Sequence, residues 1–294
     1  MRMYLYQKSI FLLLFFIIFL TLLFEPSICY ALEIESKKEL TVSFLDVSQG
    51  DSIVIVFPNK KVMLVDSGMK EEGGVIVKYL LKQKIKQIDY YVNTHPDIDH
   101  LGGFVDVARK IKIKRVIDSG RVYHSATFHQ YFNYVKKRSI PIKIAEEGTY
   151  LSIDESVQVF VLNSGYRKKS NNSSSIALKI TYGDVDYLLA GDIPHRVEQS
   201  LLSKYILDSD VLKVSHHGSR TSSSLDFLKA VNPKVAILSY DKENPFGHPH
   251  KNIVNRLRNL RIKVYSTEES GHIMTKTDGT HLYINSKTVP IEAN

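Results

Sequence analysis

The chain has 294 residues, a formal net charge of +8 and a sequence pI near 9.2. Its 44% hydrophobic and 24% charged residues are ordinary for a globular protein of one or two domains, which excludes a chain too polar to build a core. A basic balance favours anionic partners such as nucleic acid, teichoic acid or anionic lipid, although a generally lysine-rich composition gives the same charge.

Residues 1–31 are predicted to be a signal peptide. Arg2 and Lys8 supply positive charge around the start of an apolar run over residues 10–24, which is short for a membrane span. Small residues occupy the two positions that matter for cleavage after Ala31. We therefore expect a secreted or cell-surface protein. The alternative is a chain anchored in the membrane by residues 10–24, and we expect membrane contact only through this segment.

Cysteine is almost absent from the chain. Cys29 is its only cysteine, so a mature chain beginning near Leu32 contains none. This excludes a disulfide and a thiolate ligand, and any metal site must use histidine, carboxylate and water.

From about Leu40 onward, short strands alternate with helices, and we place one domain over residues 39–286. The predicted strands, rich in Val, Ile and Phe, cover residues 40–46, 52–57, 62–66, 88–93, 116–118, 157–162, 176–182, 186–190, 210–215 and 234–240. The predicted helices cover residues 74–84, 104–110, 125–138, 194–204, 223–230 and 251–259, and a hairpin near 272–284 closes the domain. Hairpins followed by strands interleaved with helices predict an α/β fold with two mixed sheets and helices outside.

Three further segments have two interpretations each. Residues 164–175, rich in Ser, Asn and Lys, form either a surface loop or a mobile rim over an active site. The lysine-rich residues 109–115 and 136–138 are either basic patches or ordinary solvated faces.

Residues 95–100 read His-Pro-Asp-Ile-Asp-His and directly follow a predicted strand. A strand end lets closely spaced side chains converge, and so much adjacent charge is costly unless a cation neutralises it. Gly102 and Gly103 are expected to let the chain turn into a helix beginning near Phe104. This segment therefore predicts a metal site.

Other apolar strands also end in polar, metal-competent or catalytic residues. These motifs lie at residues 45–52, 64–68, 188–192, 212–219 and 246–250. Because active-site groups of mixed α/β folds collect where strands end, we expect these motifs to lie close together.

The ordered set FLDVSQGDS, LVDSG, HPDIDHLGG, LLAGD, LKVSHHGS and the GHP segment at 244–249 resembles the metallo-β-lactamase superfamily. More narrowly, it is similar to the hydrolase domain of ComEC-type DNA-uptake proteins, over residues 40–277. The resemblance implies an αββα sandwich of two mixed β-sheets flanked by helices, with a metal site at one edge of the sheets. It does not extend to the membrane channel of those proteins, so it implies no transport role.

The resemblance also implies a ligand set. The residues that match the family's metal-ligand positions are His95, Asp97, Asp99, His100 and Asp192, with Asp192 as the bridge between two ions. The next ligand is His216 or His217, and the sequence leaves open which of them binds and which acts on the substrate. His248 is expected to ligate or to donate a proton.

Two departures from the wider superfamily affect the metal. Asp97 stands where a histidine is usual, and residues 171–175 contain no histidine where the third motif usually supplies one. Both departures occur in the ComEC-like branch. They leave one position poor in nitrogen ligands, so we expect one or two divalent ions, either zinc or manganese.

The implied chemistry is hydrolysis, with Asp99, His217 and His248 as the catalytic residues. Asp99 both ligates and orients the attacking water, and a spare imidazole from His216, His217 or His248 protonates the leaving group. Lys213 and Arg220 are candidates to pair a phosphate, although a surface charge is the simpler interpretation of each. No glycine-rich phosphate loop is present, so no nucleotide cofactor is expected.

The main functional prediction is a secreted metal-dependent phosphodiesterase or nuclease acting on DNA or another anionic polymer. The enzyme alternative is a cell-wall phosphodiester hydrolase resembling phosphorylcholine esterases. A third alternative is a non-catalytic module that binds DNA or the cell wall.

Overall fold

The computed structural model describes residues 38–287, so the predicted signal peptide lies outside the described residues. The strands are β1 Leu40–Phe44, β2 Ile53–Val56, β3 Val62–Val65, β4 Gln87–Ile88, β5 Tyr90–Asn93, β6 Lys112–Ile113, β7 Val116–Asp118, β8 Ile142–Ile144, β9 Val157–Asn163, β10 Ala177–Tyr182, β11 Val185–Leu189, β12 Val211–Lys213, β13 Val235–Leu238, β14 Lys263–Ser266, β15 Ile273–Thr277 and β16 Leu282–Asn285.

The helices are α1 Gly73–Lys82, α2 Ile98–Leu101, α3 Phe104–Lys110, α4 Ala126–Lys137, α5 His195–Leu202, α6 Leu225–Val231, α7 Lys251–Asn259 and α8 Thr267–Ser270. Short 3₁₀ turns lie at Lys70–Glu72, Asn172–Ser174 and Ser215–Gly218. Within residues 38–287, no helix has both the length and the apolar character needed to cross a membrane.

Two mixed sheets form the centre of the fold. The first has the order β16-β15-β1-β2-β3-β5-β7-β8, and the second has the order β14-β13-β12-β11-β10-β9. In the first sheet β3, β5, β7 and β8 run parallel, and in the second β11 to β14 do. The carboxyl ends of the parallel strands therefore line one edge of each sheet.

The strands bury alternate residues on opposite faces, because side chains of a strand alternate in direction. In β3, Met63 and Val65 join the core between the two sheets, whereas Val62 and Leu64 face the helices. In β13, Val235 and Ile237 likewise face the other sheet, and Ala236 and Leu238 face the outer helices.

Three hydrophobic cores result from this alternation. One lies between the sheets, a second under α1, α3 and α4, and a third under α5, α6 and α7. The four layers are helices, sheet, sheet and helices, which confirms the predicted αββα architecture. The sequence did not predict β6, β8, β14, α2 or α8, which are short.

The role predicted for Gly102 and Gly103 is wrong. A helix, α2, already begins at Ile98, and the two glycines have φ of −57° and −78°, which any residue adopts. Glycine is needed at these two positions because the backbone packs too closely against its neighbours to admit a side chain. A Cβ on Gly103 would collide with the carbonyl oxygen of Ser67, and one on Gly102 would lie 2.6 Å from the Lys70 nitrogen. The glycines thus let α2 approach the loop after β3.

Candidate metal centre

The predicted ligands meet at the edge where the parallel strands end. His95 follows β5, Asp192 follows β11, and His216 and His217 follow β12. Asp99 lies on α2, which begins three residues after His95. Elements of both sheets therefore build one site.

One carboxylate oxygen lies at the centre of this site. Oδ2 of Asp192 is 3.4 Å from His100 Nε2, 3.7 Å from His217 Nε2 and 3.8 Å from His95 Nε2. The Nε2 atom of His216 is also 3.8 Å away. Four imidazole nitrogens thus surround one buried carboxylate, as expected of an aspartate that bridges two ions.

Three of these nitrogens have no hydrogen-bond partner among the described residues. The Nε2 atoms of His95, His100 and His217 are buried and unpaired, as is Oδ1 of Asp192. An unsatisfied buried polar atom is destabilising by about 1–3 kcal/mol, so such atoms are rare in native proteins. Two ligands each about 2.1 Å from a tetrahedral ion lie about 3.4 Å apart, which fits the distances around Asp192. The residues present therefore fit a divalent cation.

Hydrogen bonds at Nδ1 determine the tautomers of these three histidines and leave their Nε2 atoms facing the site. His217 Nδ1 lies 2.9 Å from the Ser239 carbonyl, which can only accept a proton. His100 Nδ1 lies 2.8 Å from the Asp66 carboxylate. Both Nδ1 atoms are therefore protonated, and Nε2 is the atom of each ring that would present a lone pair to an ion.

A hydrogen bond at Nδ1 also fixes the tautomer of His95. The Thr94 hydroxyl donates to Asp66, so it accepts from His95 Nδ1 at 3.0 Å. A metal-ligating histidine ordinarily donates its other ring N–H to such a partner.

Asp99, His100 and His217 form the closed side of the centre. Asp99 Oδ2 lies 3.3 Å from His217 Nε2 and 3.9 Å from His100 Nε2. Burial alone would raise the pKa of Asp99, but His100 and His217 hold the pKa of that carboxyl below its usual value. Burial would likewise raise the pKa of Asp192, and the same two imidazoles hold it well below the usual value. Both carboxylates are therefore ionised at neutral pH.

His95, Asp97 and His216 form the open side. His95 Nε2 is 3.5 Å from Asp97 Oδ2, and the side chains of Asp97 and His216 are 29% and 24% exposed. Asn171 donates its amide to the other Asp97 oxygen at 2.6 Å, and Asn172 Nδ2 lies 3.1 Å from His216 Nε2. Amide side chains therefore support Asp97 and His216 on this side, where only His95 is fully buried, whereas both histidines of the closed side are buried.

Arg121 fixes the orientation of the Asn171 amide. Its Nε donates to Asn171 Oδ1 at 3.2 Å, and a guanidinium can only donate. The Nδ2 group of Asn171 must therefore face Asp97. This arrangement turns Asp97 Oδ2 towards His95.

His216 and His217 both reach Asp192, although the sequence left open which of them ligates. Each has a φ of +52°, a left-handed conformation that is uncommon outside glycine and recurs at functional sites. This backbone directs consecutive imidazoles to the two sides of Asp192. Only His217 also reaches Asp99.

His248 lies next to these ligands. Its ring is 5.5 Å from that of His216 and 6.2 Å from that of His217. Burial, reinforced by the neighbouring histidines, lowers the pKa of His248 to about 4. The imidazole is therefore neutral at pH 7, which favours ligation or proton acceptance over the proton donation considered from the sequence.

Residues 164–175 border the site, which supports the rim interpretation over the simple surface loop. Besides Asn171 and Asn172, Ser175 Oγ lies 3.2 Å from His95 Nδ1 and accepts from the Asp192 backbone N–H. Sequence reasoning missed these residues because amides and hydroxyls are weak ligands. Their position could have indicated a role in the site, because the wider family has a histidine in this segment.

The surface position predicted for Lys213 is wrong. The side chain is fully buried, and its Nζ lies 2.8 Å from Asp51 Oδ1. Buried lysines need such a partner, and this one is unavailable to a phosphate. Arg220 is exposed, as predicted.

Comparison with known proteins agrees with this geometry. Residues 45–241 match the metallo-β-lactamase superfamily. ComE operon protein 3 of Bacillus subtilis is 28% identical over 81% of the chain and 33% of its own length. Competence protein ComA of Neisseria gonorrhoeae is 31% identical over 85% of the chain and 34% of its own length. The chain thus spans about a third of these relatives, which confirm the narrower resemblance to competence proteins.

Among solved structures, the metallo-β-lactamase fold protein YhfI of Bacillus subtilis aligns with a TM-score of 0.55 at 12% identity. The alignment covers 84% of this chain and all of YhfI, and it supports the fold alone. Ordered motifs, layer architecture and family match lead to one conclusion: the chain belongs to the metallo-β-lactamase superfamily.

Proposed function

We propose that the chain is a secreted metal-dependent phosphodiesterase acting on DNA or another anionic polymer. The superfamily consists generally of metal-dependent hydrolases. The observation that carries the proposal is the set of buried, unpaired Nε2 atoms around Asp192. An ion in the space between them would satisfy all of these atoms at once.

The closed and open sides would each hold one divalent ion, zinc or manganese, and the Asp192 carboxylate lies within reach of the ligands of both sides. The bound metal supplies Lewis acidity and a water whose pKa is about 7 instead of 15.7. Each side offers two imidazoles and one carboxylate besides Asp192, a mixed nitrogen and oxygen set that suits either zinc or manganese.

The chain's own groups complete the chemistry. Asp99 remains ionised, and its side chain is 21% exposed. The same carboxylate can therefore ligate an ion and orient a water that enters from solvent. His248, neutral and adjacent to the site, accepts or relays a proton. Asp97 and His216 face solvent on the open side, which is where a substrate enters.

A phosphodiester substrate is supported by charge and by the relatives. The net charge of +8 favours a polyanion. Two relatives are named for competence, and a third is named Recombination protein 2. β-Lactam hydrolysis is disfavoured because neither position 97 nor residues 171–175 supply a histidine where that activity uses one.

The test uses bis-p-nitrophenyl phosphate, with and without a chelator. A hydrolase turns it over and loses turnover with EDTA, whereas a non-catalytic module shows none. DNA and phosphorylcholine esters are then compared as substrates. If phosphorylcholine is released and DNA stays intact with either metal, the nuclease proposal fails and the cell-wall hydrolase replaces it.

Export is part of the proposal. N-terminal sequencing of the extracellular protein should begin at Leu32, because cleavage is expected after Ala31. An intact Met1 on the extracellular protein would contradict cleavage, and a chain found only in membranes would favour the anchor.

A further inference from the structure

A cationic cleft adjoins the open side of the metal centre. It has a volume of about 340 Å³ and is lined by Arg167, Lys168, Lys169, Arg196, Val197 and Ser200. One wall is the rim segment that continues into Asn171, and the other is the first two turns of α5, which begins three residues after Asp192. One wall therefore continues into a residue that supports Asp97, and the other follows the proposed ligand Asp192.

Arg121 joins this cleft to the site. Its Nη1 donates to the backbone carbonyls of Tyr166 and Lys168 at 3.3 and 2.9 Å, while its Nε donates to Asn171. One guanidinium thus bonds both to the rim and to the residue that holds Asp97. Arg121 thus helps to fix the cleft relative to the open side.

Most of the charge in the cleft is uncompensated. Lys168 pairs with Glu147 at 2.9 Å, but Arg167, Lys169 and Arg196 are exposed and form no ion pair with residues 38–287. Three neighbouring positive charges repel one another, and their repulsion is relieved when a polyanion binds. Adjacent phosphates of a nucleic acid provide such a ligand.

An exposed aromatic residue adjoins the charges. Tyr166 is 53% exposed, and the guanidinium of Arg167 lies 5.3 Å from its ring centre. A basic groove combined with an exposed aromatic face is how proteins bind single strands, because every base can stack. A choline headgroup also binds aromatic rings. Here, however, Arg167 and its cationic neighbours would repel a quaternary ammonium.

We propose that Tyr166, Arg167, Lys169 and Arg196 form a binding surface for a single strand of nucleic acid that leads to the open side of the centre. The basic residues bind consecutive phosphates and Tyr166 stacks on a base. This inference rests on the proposed function and selects DNA over a choline ester as its substrate.

The test measures binding of a fluorescently labelled, phosphorothioate-linked oligothymidylate to the metal-loaded protein over a salt series. The first variant combines Arg167→Gln, Lys169→Gln and Arg196→Gln. Each phosphate contact contributes about 0.7 to the slope of log K against log salt for a single strand. The variant should therefore bind at least about tenfold more weakly at low salt, with a slope shallower by about 2.

A matched control removes equal charge elsewhere. The variant combining Lys136→Gln, Lys137→Gln and Arg138→Gln alters an exposed cluster in which Arg138 also lies over a tyrosine, Tyr134, at 5.6 Å. Because α4 connects the parallel strands β7 and β8, this cluster lies at the sheet edge opposite the site. The affinity of this control variant for the oligothymidylate, and the slope of that affinity with salt, should match those of the wild type. Equal losses in both triple variants would overturn the inference.

Tyr166→Leu tests the aromatic contact. It should weaken single-strand binding about tenfold, because base stacking on an aromatic residue has this magnitude, and it should leave the salt slope unchanged. Binding of inorganic polyphosphate, which has no bases, should not change. If Tyr166→Leu alters neither ligand, the surface is a general polyanion site and the inference is wrong.

The two proposals fail separately. A protein that binds the strand as described but hydrolyses no phosphodiester contradicts the proposed function. A protein that cleaves DNA while the cleft variants bind like the wild type contradicts the inference alone.

Discussion

The two sides of Asp192 use the same kinds of ligand but hold them differently. On the closed side, His100 and His217 are fully buried, and each donates its Nδ1 proton to a carboxylate or a carbonyl. On the open side, His95 is equally buried and fixed, but Asp97 and His216 are partly exposed and bond to the amides of Asn171 and Asn172. The closed side is thus preorganised for a cation, whereas the open side combines weaker supports with access to solvent.

This difference predicts separate roles for the two sides in metal binding and substrate access. Preorganised ligands with buried partners bind a metal tightly, because little reorganisation accompanies binding. We therefore expect the open side to bind an ion less tightly and to leave room for a substrate. Substitutions on the two sides should therefore have unequal effects, and the following predictions test that inequality from the largest effect to the smallest.

Asp99→Ala should abolish hydrolysis. The substitution removes the carboxylate that both ligates on the closed side and orients the water. The loss of activity should therefore exceed the roughly 100-fold loss typical when a residue that only supports a ligand is replaced. Turnover of bis-p-nitrophenyl phosphate, metal content and circular dichroism measure activity, binding and fold. His129→Ala, an exposed histidine on α4, is the control and should retain activity. Full activity of Asp99→Ala would refute the metal assignment.

Lys213→Met should destabilise the protein by about 3–5 kcal/mol, because it leaves the Asp51 carboxylate buried without its partner. This pair lies behind the closed side, where Asp51 Oδ1 is 3.7 Å from His217 Nδ1. Chemical denaturation measures the free energy of unfolding. Lys234→Met breaks a pair whose lysine is 78% exposed and should cost at most about 1 kcal/mol. Equal losses would mean that the buried pair has no special structural role.

Asp66→Asn should weaken metal binding to the closed side by about 10- to 100-fold. The amide keeps the shape of the carboxylate but removes the charge that fixes the protonated Nδ1 of His100. Competition with a chromogenic chelator measures the affinity. An unchanged affinity would show that this carboxylate does not support the ligand.

Asn171→Ala should have the smallest effect, less than about tenfold, and only on the ion of the open side. The substitution frees Asp97, which is already partly solvated. Arg121→Ala should reproduce this change, because it removes the donor that orients the amide. Loss of the tightly bound ion in either variant would contradict the proposed asymmetry.

Much of the fold and the core of the site could be predicted from the sequence. Apolar runs such as Val62–Val65 and Val235–Leu238 bury both faces of a strand, so their pattern directly reflects the layers. The predicted ligands follow such runs, and parallel strands bring their ends to one edge. Short edge elements such as Ile142–Ile144 were missed because the exposed strand has no buried pattern.

The supporting groups of the site could not be predicted. Lys213 resembles a surface lysine until the fold places Asp51 beside it. The role of Asn171 depends on Arg121 and Asp97, both distant from it in the sequence. Nothing local indicates that His216 and His217 adopt left-handed conformations, which are imposed by the tertiary structure. Contacts between distant segments decide all of these features.

The most direct test of the asymmetric centre is a calorimetric titration of the metal-free protein with Zn²⁺ or Mn²⁺, repeated for His217→Ala and His216→Ala. The account predicts two ions per chain whose affinities differ by at least about tenfold. His217→Ala should eliminate the tighter ion, whereas His216→Ala should weaken only the second. Two ions of equal affinity, equal effects of the two substitutions, or no binding at all would contradict it.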